Sequence, residues 1–198
     1  MYKSEFGYKL LKPIISLYFK IRFKPTVIGS ENIPVEGPII LCGNHIHTHD
    51  QFNVMIATKR VIHMMAKEEY FEKRGAWFFK FTGCIKVDRR IHDVNAKTEA
   101  LEILKEGKAL GLFPEGTRNK TIGTLNEVDL LPFKYGAVSL AQKSGALIIP
   151  YGISGKYTGK NGKLTTRIGK PIDISGMSLD NANKLLRKKI LELMKKKN

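Results

Sequence analysis

Residues 42–50, CGNHIHTHD, place three histidines and an aspartate directly after an apolar run. Such a cluster suits two different chemistries. His45, His47 and His49 can together bind a transition metal. Alternatively, His45 can act as a base whose imidazole is oriented by the carboxylate of Asp50, five residues further along the chain.

The metal interpretation lacks further ligands. The order of His49 and Asp50 is reversed relative to the H-x-H-x-D-H motif of metallo-β-lactamase-like hydrolases, and two histidines remain outside the cluster. His63 lies in the apolar run VIHMM, which favours a structural role, and His92 lies in a basic loop. We therefore predict no metal site.

The base interpretation needs a His, an orienting carboxylate and a reacting group. The sequence contains no G-x-S-x-G elbow that would supply a serine nucleophile. Cys42 and Cys84 stand alone, with no C-x-x-C partner, and we interpret both as reduced core residues. This leaves direct transfer to a substrate hydroxyl that is deprotonated by His45, with Asp50 as its partner.

The elements that position these residues alternate short apolar runs with helix-length segments, a pattern that predicts an α/β domain with a mixed, largely parallel sheet. The predicted strands are GPIILCGN, RVIHMMA, GCIKVD, KALGLFPEG, GALIIPYGIS and LTTRIGKPI. The predicted helices cover residues 67–80, 94–106, 133–143 and 178–197. In such sheets ligands bind beyond the carboxyl ends of the strands. The segment GNHIHTHD follows PIILC and PEGTRN follows ALGLF, so both polar segments are expected at one edge.

Two of these segments together carry a specific resemblance. NHIHTHD resembles the N-H-x-x-x-x-D block of the glycerolipid acyltransferases, and FPEGTRN, residues 113–119, resembles their F-P-E-G-T-R block. GCIKVDR, residues 83–89, is similar to the family's G-x-x-x-V-x-R segment, and ALIIPYGI, residues 146–153, to its apolar segment that ends in proline. The resemblance covers the chain from about residue 25 and implies the acyltransferase fold.

The resemblance also implies roles for individual residues. His45 is the implied general base, Asp50 its partner, and Asn44 a supporting residue near the oxyanion. The acceptor's phosphate and glycerol are expected to contact a set of residues in and near the second block: Glu115, Gly116, Thr117, Arg118, Arg89 and Lys67. For Glu115 a structural carboxylate that accepts backbone N–H bonds, and for Lys67 a solvated lysine, remain open. The roles of His47 and His49 are left unassigned.

The implied reaction moves a fatty acyl group from acyl-CoA or acyl carrier protein, as co-substrate, to the free hydroxyl of lysophosphatidic acid, giving phosphatidic acid without a cofactor. Glycerol 3-phosphate, another lysophospholipid or a lyso-aminolipid is the alternative acceptor. From another class, the chain could be a non-catalytic basic module that binds anionic lipid or nucleic acid. No helix-turn-helix, RNP-like or zinc-finger spacing is present, so we expect no nucleic-acid partner.

Charge distribution adds a membrane expectation. The chain has 34 Lys and Arg against 18 Asp and Glu, a formal net charge of +16 that favours polyanionic partners. Residues 1–24 mix apolar and aromatic residues with lysines in a pattern typical of an interfacial amphipathic helix, with a kink at Pro13. We therefore expect a membrane-interface segment over 1–24. The resemblance implies an acyltransferase domain over 25–198 and a peripheral location on the cytoplasmic face of the cell membrane, which agrees with this segment. A helix that packs on the domain is the alternative for this segment.

Overall fold

The computed structural model describes residues 5–91, 93–119 and 130–196. The strands are β1 Thr26–Ile28, β2 Ile39–Gly43, β3 Ile62–Lys67, β4 Ile85–Val87, β5 Ala109–Leu112, β6 Leu147–Ser154 and β7 Thr165–Ile168. The helices are α1 Phe6–Phe23, α2 Asp50–Ala57, α3 Ala76–Phe81, α4 Val94–Lys105, α5 Gly136–Ser144 and α6 Leu179–Lys195. The described elements form the single α/β domain that the sequence predicts.

The strands form one sheet in the order β1-β7-β6-β2-β5-β3-β4. Every pair is parallel except β6 with β7, so the sheet is mixed and largely parallel. Strands β2 and β5 are neighbours near the centre, with Leu41 beside Gly111 and Cys42 beside Leu112. The chain segments that leave these two strands therefore start side by side at the same edge.

Alternation along the central strands builds a core on each face of the sheet, because successive side chains of a strand point to opposite faces. In β2, Ile40 and Cys42 pack in the core under helices α4, α5 and α6, whereas Ile39 and Leu41 pack in the core under α1 and α2. All five residues of β2 are buried. Burial on both faces explains why the central strands read as uninterrupted apolar runs.

The prediction of a single helix over residues 67–80 is wrong. Lys67 is the last residue of β3, a 3-10 turn covers Glu68–Tyr70, and α3 begins only at Ala76. The rings of Tyr70 and Phe79 stack with their centroids 5.1 Å apart. In one continuous helix these residues would lie about 13 Å apart along the axis, so the stacked pair requires the break.

Other helix predictions agree with the structure within two or three residues. The helices predicted over 94–106, 133–143 and 178–197 correspond to α4, α5 and α6. Strand β1 and helix α2 were not predicted. His92 and residue 197, at the end of the last predicted helix, lie outside the described residues, as do residues 1–4 of the predicted N-terminal segment.

Helix α1 continues through Pro13 and uses two faces. On one face, Tyr8, Phe19 and Phe23 are buried in the core that lies between the sheet and helices α1 and α2. A second set of large apolar side chains on this helix is exposed: Phe6, Leu10, Ile14, Leu17, Tyr18 and Ile21. At 100° per residue this set occupies an arc of roughly 120°. The helix therefore packs on the domain and also presents an apolar face to its surroundings.

Lys12 fixes α1 to the end of α2. Its Nζ donates to the backbone oxygens of Thr58, 2.5 Å away, and Arg60, 3.1 Å away, just beyond the last turn of α2. Carbonyl groups at a helix C-terminus lack partners within the helix and attract a cation. Burial lowers the pKa of Lys12 to about 8. None of the helices in the described ranges is long and apolar enough to cross a membrane.

Candidate active site

The site is formed where the chain leaves β2 and β5. The backbone N–H of His45, after β2, donates to Glu115 Oε1 at 2.9 Å, and the N–H of Asn119, after β5, donates to the carbonyl of His45 at 2.6 Å. These two bonds join the loops that carry the two polar segments of the sequence, NHIHTHD and PEGTRN. The edge predicted from the carboxyl ends of the strands is therefore the place where these segments meet.

His45 and Asp50 form a hydrogen-bonded pair. His45 Nδ1 lies 2.8 Å from Asp50 Oδ2. Because the carboxylate accepts the Nδ1 proton, Nε2 is the ring nitrogen that is left to take a proton from a substrate. The imidazole also stacks on the ring of Phe113, with centroids 4.0 Å apart and planes 9° from parallel. The pair and the stack together fix the ring's orientation.

The Asp50 carboxylate is fully buried at the first residue of α2. Its Oδ2 accepts hydrogen bonds from the backbone N–H groups of Ile46, at 2.6 Å, and His47, at 2.7 Å, in addition to the bond with His45. Its Oδ1 accepts a bond from the hydroxyl of Tyr157 at 2.5 Å. The positive end of the α2 dipole and these donors stabilise the negative charge that a His partner requires.

His47 and His49 are half-buried and face aromatic rings. His47 stacks on Tyr157 with ring centroids 4.2 Å apart, and His49 lies 5.6 Å from both Phe23 and Phe52. Burial, the largest cause, lowers the pKa of both rings, and for His47 the charges of His49 and Arg118 act in the same direction. In the described ranges, no three His, Cys, Asp or Glu residues are grouped so that they could hold a metal ion.

Glu115 has the contacts of a structural carboxylate, the alternative that the sequence left open. Its side chain is buried, with Oε1 bonded to the N–H of His45 and Oε2 bonded to the N–H of Leu131, at 2.9 Å each. Asn119 Nδ2 adds a bond to Oε2 at 3.3 Å. Burial raises the pKa of Glu115, although the hydrogen bonds act against this. Both carboxylate oxygens are therefore engaged within the protein, where they join three chain segments.

Three other residues of the second block, Gly116, Thr117 and Arg118, are less buried than Glu115 and lie in the same loop. Gly116 has a φ of +70°, a left-handed conformation that favours glycine, and a Cβ there would lie 3.0 Å from Lys134. Thr117 and Arg118 are exposed. Arg89, from the segment after β4, donates to the carbonyl oxygen of Gly116. Arg118 is thus available to a ligand, and Arg89 lies beside the same turn.

Two of the predicted site residues, Lys67 and Asn44, have partners within the protein that the sequence did not indicate. The Lys67 ammonium, at the end of β3, pairs with Glu69 at the surface. Both polar atoms of the buried Asn44 side chain bond to the backbone of Ile153 in β6, with Nδ2 donating at 2.9 Å and Oδ1 accepting at 2.7 Å. Asn44 therefore fixes the start of the His45 loop to the neighbouring strand.

An apolar cavity opens beside His45. Its wall combines the imidazole of His45 with Lys67 and Arg89 and with a larger group of apolar side chains, among them Phe52, Met55, Ile62, Met64, Phe78 and Phe79. Tyr8 of α1 also lines it. An imidazole, two cationic side chains and an apolar wall thus share one cavity, which can take a ligand with an anionic group and a hydrocarbon chain.

Sequence reasoning missed Tyr157 and Phe113 as neighbours of the pair. Phe113 directly precedes the Pro-Glu-Gly-Thr-Arg segment, and its ring stack on His45 follows from the adjacency of β2 and β5. Tyr157 lies 107 residues from Asp50, and it follows β6 in a loop with no motif. No local signal in the sequence indicates that its hydroxyl reaches this carboxylate.

Comparison with known proteins gives consistent results. A 1-acyl-sn-glycerol-3-phosphate acyltransferase of Bacillus subtilis is 31% identical over 83% of this chain and 82% of its own length. The enzyme of that name from Saccharomyces cerevisiae is 32% identical over 91% of this chain, which spans 60% of the yeast protein.

A solved structure shares the fold. The 1-acyl-sn-glycerophosphate acyltransferase PlsC of Thermotoga maritima superposes on 100% of this chain and 86% of its own, with a TM-score of 0.73 at 24% identity. The profile of the family described as "Acyltransferase" matches residues 24–154, which include both blocks and the strands that carry them. The family predicted from the two blocks is confirmed, and the chain belongs to the acyltransferase family.

Proposed function

We propose that this chain transfers a fatty acyl group from an acyl thioester to the free hydroxyl of 1-acyl-sn-glycerol 3-phosphate, giving phosphatidic acid. The observation that carries the proposal is the position of His45, which is paired with Asp50, in the wall of an apolar cavity that two cationic side chains also line. The relatives from Bacillus subtilis and Saccharomyces cerevisiae, which bear the name of this activity, support the choice of acceptor.

The chemistry follows from the geometry of the pair. The acceptor hydroxyl gives its proton to His45 Nε2 as its oxygen attacks the thioester carbonyl carbon. Asp50 stabilises the imidazolium that forms. The tetrahedral intermediate then loses its C–S bond, and the proton passes from His45 to the thiolate of the leaving group. No covalent enzyme intermediate is required, because the acceptor itself is the nucleophile.

Cationic residues near the cavity suit the acceptor's phosphate. Arg118 is exposed on the loop after β5, and Arg89 contacts the backbone of Gly116 in that loop. A guanidinium binds a phosphate through two parallel hydrogen bonds, so Arg118 is the main proposed ligand. Lys67 is paired with Glu69, and it can contribute only if it exchanges that partner for the phosphate.

We also infer that α1 places the enzyme on the cytoplasmic face of the cell membrane. The exposed apolar face of α1 continues onto α3, where Trp77 is 62% and Phe81 is 37% exposed, and the ring centroids of Phe6 and Phe81 lie 6.2 Å apart. The exposed Lys9 and Lys20 lie along one edge of this face on the helix. Lipid acyl chains and anionic headgroups are the surroundings that such a surface fits.

The experiment that tests the proposed function supplies purified protein with labelled acyl-CoA or acyl carrier protein and a panel of acceptors. We expect phosphatidic acid from lysophosphatidic acid, with glycerol 3-phosphate and other lyso-lipids as the competing acceptors. Replacing His45 by Ala should reduce turnover by about 10²-fold to 10⁴-fold, the contribution of a positioned base.

His47→Ala is the matched variant, since this histidine lies two residues away and does not contact Asp50 through its ring. It should lose no more than about tenfold. A folded His45→Ala protein with near-normal turnover would refute the mechanism. Equal losses in His45→Ala and His47→Ala, together with about one bound metal ion per chain, would favour the metal site instead.

A further inference from the structure

Tyr157 lies three residues after the end of β6, outside residues 24–154, the part of the chain that the family profile matches. Its hydroxyl donates to Asp50 Oδ1 at 2.5 Å and accepts from the side-chain amide of Asn53 at 2.6 Å. Asp50 and Asn53 are both fully buried, so bulk water does not reach the carboxylate of Asp50 or the side-chain amide of Asn53. The hydrogen bonds therefore run from Asn53 through Tyr157 to Asp50, next to His45.

We propose that Tyr157 is a positioning residue for the His45–Asp50 pair, whose hydroxyl holds the Asp50 carboxylate at the angle that His45 Nδ1 requires and withdraws part of its negative charge. This inference rests on the proposed function, in which His45 is the base. The proposed positioning residue therefore lies outside both sequence blocks, NHIHTHD and FPEGTRN.

The two oxygens of Asp50 have different partners, and this division supports the proposal. Oδ2 accepts from the ring of His45 and from the backbone N–H groups of Ile46 and His47. Within the described ranges, Oδ1 has the Tyr157 hydroxyl as its hydrogen-bond donor. Without that hydroxyl, one oxygen of a fully buried carboxylate loses its partner, and rotation of the carboxylate is no longer opposed from that side.

The hydroxyl of Tyr157 stays a donor over the whole range in which an enzyme is assayed. Burial, followed by the negative charge of Asp50, raises the pKa of Tyr157 far above its usual range. A protonated phenol beside an ionised carboxylate makes a charge-assisted hydrogen bond, which is stronger than a neutral one.

Packing holds the ring of Tyr157 from two sides. His47 stacks on one face at 4.2 Å, and Phe23 of α1 meets it edge-on at 5.5 Å. Phe19 of α1 lies 6.4 Å away. The hydroxyl is therefore placed by a rigid aromatic group, and the inward face of α1 is part of the support for the pair.

Several other titratable or charged groups face this network, from the His45 loop, the loop after β5 and strand β6. They are His47, His49, Glu115, Arg118 and Tyr151. Tyr157→Phe keeps all of these side chains and removes only the hydroxyl, with its bonds to Asp50 and Asn53. A change in pH dependence on that substitution therefore reports on the bond between Tyr157 and Asp50.

The test is Tyr157→Phe, which keeps the ring and removes the hydroxyl. With one donor fewer, the Asp50 carboxylate holds the protonated imidazole more tightly. The acidic limb of the profile of kcat/KM against pH, measured with palmitoyl-CoA and lysophosphatidic acid, should move to higher pH by roughly 0.5 to 1 unit. Turnover at its best pH should fall by roughly 5-fold to 50-fold, since the carboxylate is less well oriented.

Tyr135→Phe is the matched control. Tyr135 also donates its hydroxyl to an aspartate, Asp180, but at an exposed position on the other side of the sheet. This control should keep both the wild-type rate and the wild-type profile. A role for Tyr157 in packing alone would lower stability or rate and would leave the acidic limb in place, so an unmoved limb overturns the proposal.

A fluorinated tyrosine at position 157 carries the test if Tyr157→Phe does not fold. Its more acidic hydroxyl is the stronger donor, so the acidic limb should move to lower pH, and an unmoved limb again overturns the proposal. The His45→Ala protein separates this outcome from a failure of the proposed function. If His45→Ala is inactive while both Tyr157 variants have the wild-type profile, only the role of Tyr157 is refuted.

Discussion

Replacing Glu115 by Gln discriminates between two roles for this carboxylate, a brace between loops and a ligand of the acceptor. Glutamine keeps the size of the side chain and exchanges one acceptor oxygen for an NH₂ group. In the structure the two oxygens accept from the backbone N–H groups of His45 and Leu131, each at 2.9 Å. Whichever way the amide is turned, one of these N–H groups then faces a donor.

The size of the effect follows from the burial of Glu115, whose side chain is 3% exposed. A buried donor without a partner destabilises the folded state by about 1–3 kcal/mol. For a chain of this length each kcal/mol shifts the melting temperature by about 2–4 °C, so Glu115→Gln should melt about 2–12 °C lower. Because either the N–H of His45 or that of Leu131 loses its acceptor, the two loops are held together less firmly, and kcat should also fall, with little change in the KM for lysophosphatidic acid.

The assay combines thermal unfolding followed by circular dichroism with steady-state kinetics in which the acceptor concentration is varied. Glu102→Gln is the matched control, since this glutamate is exposed on α4, and it should leave both measurements unchanged. An unchanged melting temperature together with a raised KM for the acceptor would refute the brace and would make Glu115 a ligand of the glycerol phosphate.

Three other perturbations test the site and its surroundings. Arg118→Ala should raise the KM for phosphorylated acceptor, with a loss of roughly 1.5–3 kcal/mol for a charged hydrogen bond, whereas Lys105→Ala on α4 should not; an unchanged acceptor KM would place the phosphate elsewhere. Leu17→Ser with Ile21→Ser should release the protein from vesicles of anionic lipid, measured by co-sedimentation, and wild-type binding should weaken as salt is added. Because burial lowers the pKa of His49 in the folded state, the unfolded chain binds more protons below pH 6.5, and stability should fall as the pH falls through that region. In His49→Phe the melting temperature should fall less steeply as the pH is lowered. An equally steep fall would show that His49 is not the cause of the pH dependence.

The sequence predicts those parts of the fold in which a local pattern and the tertiary contacts agree. Strand β2 is buried on both faces and reads as a continuous apolar run, and α6 has an N-cap at Ser178 and an apolar stripe that packs on the sheet. The contact between His45 and Asp50 was predicted because five residues separate them, a spacing that one turn of backbone can close. The measured separation of 2.8 Å agrees with that prediction.

The remaining features depend on contacts between distant segments. The short edge strand β1 has mostly exposed side chains, so no burial pattern marks it. The break within residues 67–80 follows from the stack of Tyr70 on Phe79, which no helical periodicity reveals. The reach of Tyr157 to Asp50 depends on how the chain returns after β6.

The bonds from Lys12 to the backbone of Thr58 and Arg60 bear on how a form of this protein without the exposed apolar face of α1 can be made. Removing the N-terminal helix would be the usual route, but here it would leave the end of α2 without its cation. It would also empty the core positions of Tyr8, Phe19 and Phe23. Polar replacements confined to Leu10, Ile14 and Leu17 on the outer face would change the solubility and leave the inner face intact. Purification and crystallisation of this protein therefore call for redesign of that face and for retention of the whole helix.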